Sequence, residues 1–137
     1  MTTDTAVKAQ LAFFAFSEAN HTGSLDAMRA VCFIIRNRVR AGWSGGDWNR
    51  VLNFASRHAA HELDHRPPSL ESDIFRRLLM EIDEIYLGTR VDDLTEKGLY
   101  YCDLTGKPIR DWFAENIVRN QGHHPRVAQL GMFNIFS

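Results

Sequence analysis

From Leu25 to Val39 the apolar side chains recur at the spacing of an α-helix. Leu25, Met28, Cys32, Ile35 and Val39 form one stripe, and Ala27, Val31 and Ile34 widen it. A stripe this wide cannot be left facing water, so the segment has to be a helix enclosed by other elements. Its ends are marked as well: Gly23 breaks the chain before it, Ser24 is a good N-cap, and Ala41 to Gly46 reads as a loop after Arg40.

The remaining elements are those that could enclose it. A first helix is expected from Asp4 or Thr5 to Ala19, with Val7, Leu11, Phe14 and Glu18 on one stripe. A shorter helix should run from Asp47 towards Ser56, or on to His65, before Pro67-Pro68 stops it. Ser69 is the expected cap of a long helix with the stripe Ile74, Phe75, Leu78, Leu79, Ile82, Ile85 and Tyr86, closing at Gly88. The texture then changes. Leu99 to Cys102 and Phe133 to Phe136 read as two strands, with a turn at Thr105 to Pro108. With no repeat or linker, residues 1–137 are expected to form one domain of α+β class, predominantly α-helical, with a small late β-ribbon.

Composition narrows the function classes. Hydrophobic content of 45% with 24% charged residues excludes wholesale disorder. Sixteen basic and 17 acidic residues give a net charge of -1, which argues against a nucleic-acid partner but not against a polysaccharide. Met1 to Asp4 lacks a basic n-region, and the apolar stretch Leu11 to Phe16 is too short for a signal core or a membrane span. Neither Sec-type export nor membrane insertion is therefore expected. Cys32 and Cys102 each sit in an apolar run and read as buried free thiols rather than metal ligands.

The candidate catalytic group is Glu18. A carboxyl on the apolar stripe, one turn before the helix stops, should be partly desolvated, and desolvation favours the protonated form that a general acid needs. The competing reading is an ion pair with Arg29 or Arg36.

Several segments in order carry a family resemblance. Glu18-Ala19 leads through a glycine-containing loop to Ala30-Val31 and Asn37-Arg38-Val39. Gly88 precedes Asp92 or Asp93, Thr95, Gly98 and Leu99-Tyr100-Tyr101, followed by Trp112-Phe113, and Leu130-Gly131 with Ile135-Phe136 closes the series. In this pattern the chain resembles the SleB-like (spore-cortex-lytic type) cell-wall hydrolases from about Phe13 to Phe136. The resemblance implies a lysozyme-like fold and cleavage of the β-1,4 bond between N-acetylmuramic acid and N-acetylglucosamine in peptidoglycan. It also implies that Glu18 matches the family's catalytic glutamate. The loop Asn20-His21-Thr22-Gly23 lacks the family's second glutamate, Met132 or Phe133 stands in place of a histidine, and Cys102-Asp103 replaces an Asn-Pro pair.

Glycosidases usually place two carboxylates about the bond. With Glu18 alone in place, the simpler expectation is lytic transglycosylase chemistry. Glu18 protonates the leaving oxygen and then, as a base, takes the proton of the muramic C6 hydroxyl, so the product ends in an anhydro sugar and no cofactor is required. Asp26, Asp103 and Asp111 are the carboxylates to consider if water attacks instead. Tyr100, Tyr101 and Trp112 are the candidates for stacking on sugar faces, with ordinary core aromatics as the alternative. The expected partner is the glycan strand of peptidoglycan, a substrate outside the cytoplasm that would be reached after lysis, through a holin or by a secretion system. A catalytically degenerate glycan-binding module is the other reading.

His61-Glu62-Leu63-Asp64-His65 also matches H-E-x-x-H, the zinc-peptidase pattern in which two histidines one helical turn apart share the metal. Asp64 and Arg66 charge a helix that is normally apolar, Pro67 breaks it, and Glu84 falls off the apolar stripe of its own helix. The expectation is therefore no metal. His58, His61 and His65 cannot share one ion on a straight helix, and His123-His124 is expected in an exposed loop.

Overall fold

The computed structural model describes residues 4–61, 68, 72–105 and 108–137. The fold is α+β and mostly helical, with a small antiparallel sheet. Helix α1 spans Asp4–Ala19, α2 Leu25–Arg40, α3 Trp48–Arg57 and α4 Asp73–Leu87. Near the end, α5 (Asp111–Phe113) runs on into a π-helical turn, Ala114–Val118. Helix α2 is the central one: Ala30, Val31, Cys32, Ile34 and Ile35 are wholly excluded from solvent, and α1, α3 and α4 pack on it. Both thiols are buried and free, and burial pushes Cys102 up to about 12.

The caps explain the helix boundaries. Ala27 N donates to the Ser24 side chain and Arg50 N to that of Asp47, so each helix start has a partner for one of its orphan donors. Gly88 ends α4 in the left-handed conformation, φ 84°, where its N–H bonds back to Glu84 O and Ile85 O. The start of α4 differs from expectation. Its cap is Ser72, which accepts from Phe75 N, while Ser69 lies outside the described residues. Helix α3 stops at Arg57 and does not run on to His65.

The sheet holds one strand more than the expected ribbon. Strand β1 (Tyr100–Asp103) pairs with β3 (Phe133–Phe136), which also pairs with β2 (Arg126–Leu130), giving the order β1-β3-β2. Gly131 (φ 53°) and Met132 form the two-residue turn of the β2–β3 hairpin, a geometry that asks for a residue tolerant of positive φ. Alternation sends Tyr101, Asp103, Phe133 and Ile135 to one face, towards the helices. Tyr100, Cys102 and Phe136 go to the other, against Phe113 and Ile117.

Helix α2 clasps the approach to β1. Asn37 Nδ2 donates to Thr95 Oγ1 (3.1 Å) and Gly98 O (2.9 Å), and Arg38 Nε donates to Leu99 O (2.8 Å). Asp92 supports the same turn, accepting from the backbone N–H groups of Leu94 and Thr95 and from the Thr95 hydroxyl. Most residues that carry the family resemblance in this region therefore meet in one clasp, which fixes where β1 begins.

A second tie joins α2 to α4. Arg29 grips Glu81 with two bonds of 2.5 and 2.6 Å and also reaches Asp26 at 2.8 Å. These bonds hold the Glu81 carboxyl below the usual range although its burial pulls the other way. A depressed folded-state pKa contributes stability that is present above the unfolded pKa and lost as pH falls through the folded one. Glu81→Gln should therefore destabilise the protein by about 1.5–3 kcal/mol at pH 7, the worth of a hydrogen bond to a charged group. Urea melts should show the gap at pH 7 and a much smaller one at pH 3. An equal gap at both would mean that packing, not charge, holds this joint.

Candidate active site

The site begins with a sharp exit from α1. After Ala19 the chain takes a 3₁₀ turn, Asn20–Thr22, and reverses at Gly23, φ 63°. The Thr22 hydroxyl donates to Ala19 O at 2.6 Å and accepts from Ser24 N at 3.1 Å, which locks the turn. Glu18, in the last turn of α1, is buried at 3% exposure and faces the sheet. The Tyr101 hydroxyl lies against its carboxyl, and the Arg38 guanidinium lies close enough to feel its charge. Burial, and then the Glu18 charge, push the Tyr101 hydroxyl well above its ordinary value, so it remains a donor at any physiological pH. The two arginines proposed as ion-pair partners are engaged elsewhere. Arg29 holds Asp26 and Glu81, and Arg36 donates to Ile85 O and Arg90 O.

The same turn delivers a residue that the motif reading passed over. His21 Nε2 lies 2.9 Å from Asp103 Oδ2, and the Asp103 side chain is only 2% exposed. The other oxygen of Asp103 accepts from Thr105 N (2.8 Å) and the Thr105 hydroxyl (2.5 Å). Burial alone would raise this carboxyl, but the Thr105 bonds and His21 outweigh it and hold Asp103 below its ordinary value. Asp103 is thus an ionised acceptor, so His21 Nε2 carries a proton towards it, and in the neutral ring Nδ1 is the nitrogen with the lone pair. Phe133 joins the two halves of the site, with its ring 5.7 Å from Tyr101 and 6.1 Å from His21. Of the three alternative carboxylates, Asp103 lies in the site, whereas Asp26 is an exposed partner of Arg29 and Asp111 begins α5 at the surface.

A groove of about 260 Å³ opens beside this group, between the loop after α1 (Thr22, Ser24, Asp26, Ala27) and the hairpin tip (Leu130, Gly131, Met132). Larger grooves occur elsewhere, about 530 Å³ along Phe13, Phe14 and Ser17 and about 440 Å³ between Asp4, Trp48 and Tyr86. None of these three grooves is lined by Glu18, His21 or Asp103, and the smallest reaches their neighbourhood through Thr22, the residue after His21.

The three aromatic candidates do not form one surface. Tyr101 is buried with Glu18, and its ring is a wall rather than a platform. Tyr100 points to the opposite face of β1, where its ring meets Trp43 (5.5 Å), Phe113 (6.3 Å) and His124 (5.0 Å) and lies under the Arg38 guanidinium. Trp112 belongs to that second group through Phe113 and His58. Phe54 at 39% and Trp112 at 37% exposure, with His58 between them, give this face an aromatic surface.

The zinc pattern fares differently. Glu62, Leu63, Asp64 and His65 lie outside the described residues. His61 follows the end of α3 and is 3% exposed. Asp103 N donates to its Nε2 (2.9 Å), and Nδ1 lies 2.6 Å from Pro108 O, so Nδ1 carries the proton and both nitrogens are taken. Glu84 points to solvent and pairs with Arg90 at 3.3 Å. Elemental analysis of the purified protein should find no stoichiometric zinc, and a chelator should leave melting temperature and activity unchanged. One zinc per chain, with activity lost on chelation and restored by zinc, would refute the neutral, doubly bonded His61.

No family model matches the chain, and neither a curated protein nor a solved structure matches it. The resemblance to the SleB-like hydrolases therefore rests on the quoted residues alone.

Proposed function

We propose that the protein cleaves the β-1,4 glycosidic bond between N-acetylmuramic acid and N-acetylglucosamine in peptidoglycan, with Glu18 giving the proton to the leaving oxygen. The observation that carries this reading is the placement of Glu18: a buried carboxyl at a helix end, against Tyr101 where helix meets sheet. Removing a carboxyl from water favours its protonated form, the state a general acid needs. The chemistry calls for no cofactor. Acting as acid and then as base, Glu18 suffices for the intramolecular route to an anhydro sugar, whereas the hydrolytic route needs a second base to activate water. The test is direct: purified peptidoglycan is incubated with the protein and the released muropeptides are read by mass spectrometry. No release above a protein-free control would sink the proposal.

A second reading is a module that binds glycan without cutting it. Two observations favour it. Glu18 at 3% exposure leaves little edge for a sugar oxygen to approach, and Phe54, His58 and Trp112 offer exposed aromatic faces away from Glu18. On this reading Trp112→Ala would weaken retention on insoluble peptidoglycan, and no muropeptide would be released.

A further inference from the structure

We propose that His21, oriented by Asp103, is the base that takes a proton from an attacking water, which makes the cleavage a hydrolysis that leaves a reducing end. The inference rests on the glycosidase reading and adds to it the second group that the hydrolytic route requires. Four observations place His21 in this role.

Asp103 is a fixed acceptor: it is buried, and its second oxygen is held by the N–H and hydroxyl of Thr105. The strand that carries it is fixed in turn, because Asp103 N donates to His61, which is itself anchored on Pro108 O. The His21 Nε2–H points at Asp103 Oδ2, so the basic nitrogen of the ring is Nδ1, and the His21 side chain keeps 29% exposure while Asp103 keeps 2%. Finally, the pair shares the face of β1 that carries Tyr101, the partner of Glu18, and the residue after His21 lines the groove. A buried carboxylate that sets the tautomer and orientation of a partly exposed imidazole is the arrangement by which a histidine is prepared to accept a proton.

The step balances without a further reactant. Water gives a proton to His21 Nδ1 as its oxygen bonds to the anomeric carbon. The bond from that carbon to the glycosidic oxygen breaks, and the oxygen takes the Glu18 proton. His21 then returns its proton to solvent, and Glu18 takes one up. Asp103 touches neither water nor sugar and is a positioning residue.

The experiment digests purified peptidoglycan in ¹⁸O-labelled water with the full-length protein and with His21→Gln and Asp103→Asn, followed by mass spectrometry. The unmodified protein is expected to release reducing-end muropeptides that carry one label. His21→Gln should lose at least about a hundredfold of that rate, the low end for removal of an acid–base group. Asp103→Asn should fall in the same direction. Sodium azide is the discriminating addition, since it attacks carbon without giving up a proton. It should restore cleavage to both variants and yield a glycosyl azide, which a loop that had merely lost its anchor would not allow. Unlabelled anhydro products from the unmodified protein would overturn the role of His21 and leave Glu18 standing. Full activity in His21→Gln, or loss that azide does not rescue, would also overturn it. No cleavage by the unmodified protein would overturn both readings together.

Discussion

Glu18→Gln should abolish glycan cleavage, by at least about a hundredfold, while retention on insoluble peptidoglycan survives. The substitution keeps the shape of the side chain beside the Tyr101 hydroxyl, and it removes only the transferable proton. Its effect on stability separates chemistry from architecture. Burying a neutral amide costs less than burying a carboxylate, so the variant should melt at the temperature of the parent or above it at pH 7. Loss of cleavage with a retained or raised melting temperature is the signature of a catalytic group. A lowered melting temperature would instead make Glu18 one half of a structural pair, with Arg38 the nearby cation. Unchanged cleavage would end the assignment.

Gly98→Ala should be the most damaging small substitution in the described part of the chain. A Cβ there would stand 2.3 Å from Ile135 Cγ2, 2.9 Å from Thr95 O and 3.2 Å from Phe136 O. Two of these neighbours are backbone oxygens already committed to hydrogen bonds: Thr95 O accepts from Gly98 N, and Phe136 O from Leu99 N. They cannot rotate away, so the methyl group can be housed only by pulling β3 off the turn that Asn37 holds. A loss of about 3 kcal/mol is expected, the upper end for overpacking. In a domain of this size that is roughly 10 °C of melting temperature. Gly122→Ala, where an added Cβ meets nothing within 4 Å, is the matched control and should change stability by less than about 0.5 kcal/mol. Equal melting of the two variants would mean that the clasp around Thr95 and Gly98 yields more easily than its bonds suggest.

The helical part of this fold is legible in the sequence because its signals are local. Ser24 with the Leu25/Met28/Cys32 stripe, Asp47 before α3 and Gly88 after α4 each declare an element within a few residues, and each is found in place. Strand β2 is not legible. Arg126 to Leu130 shows neither alternation nor an apolar run, and its side chains are exposed or half-buried, so only pairing with β3 makes it a strand. The site divides in the same way. Glu18 could be singled out because it interrupts an apolar stripe, a local anomaly. His21 could not, because its partner stands 82 residues away and nothing in Asn20-His21-Thr22-Gly23 calls for a carboxylate. Tyr100 and Tyr101 look equivalent as a pair of adjacent aromatics, yet strand alternation assigns them to opposite faces, which only the register with Phe136 and Ile135 decides.

The strand order β1-β3-β2 places the last strand of the sequence in the middle of the sheet. A chain emerging from the ribosome can assemble α1, α2, α3 and α4 as they appear, but β1 and β2 have no neighbour to bond until Phe133–Phe136 arrives between them. Glu18 is therefore made well before the strand that closes the wall holding Tyr101 and Asp103 against the helix end. Until β3 has been made the helical core would carry a carboxyl with no site around it, so whatever this site does waits on that strand.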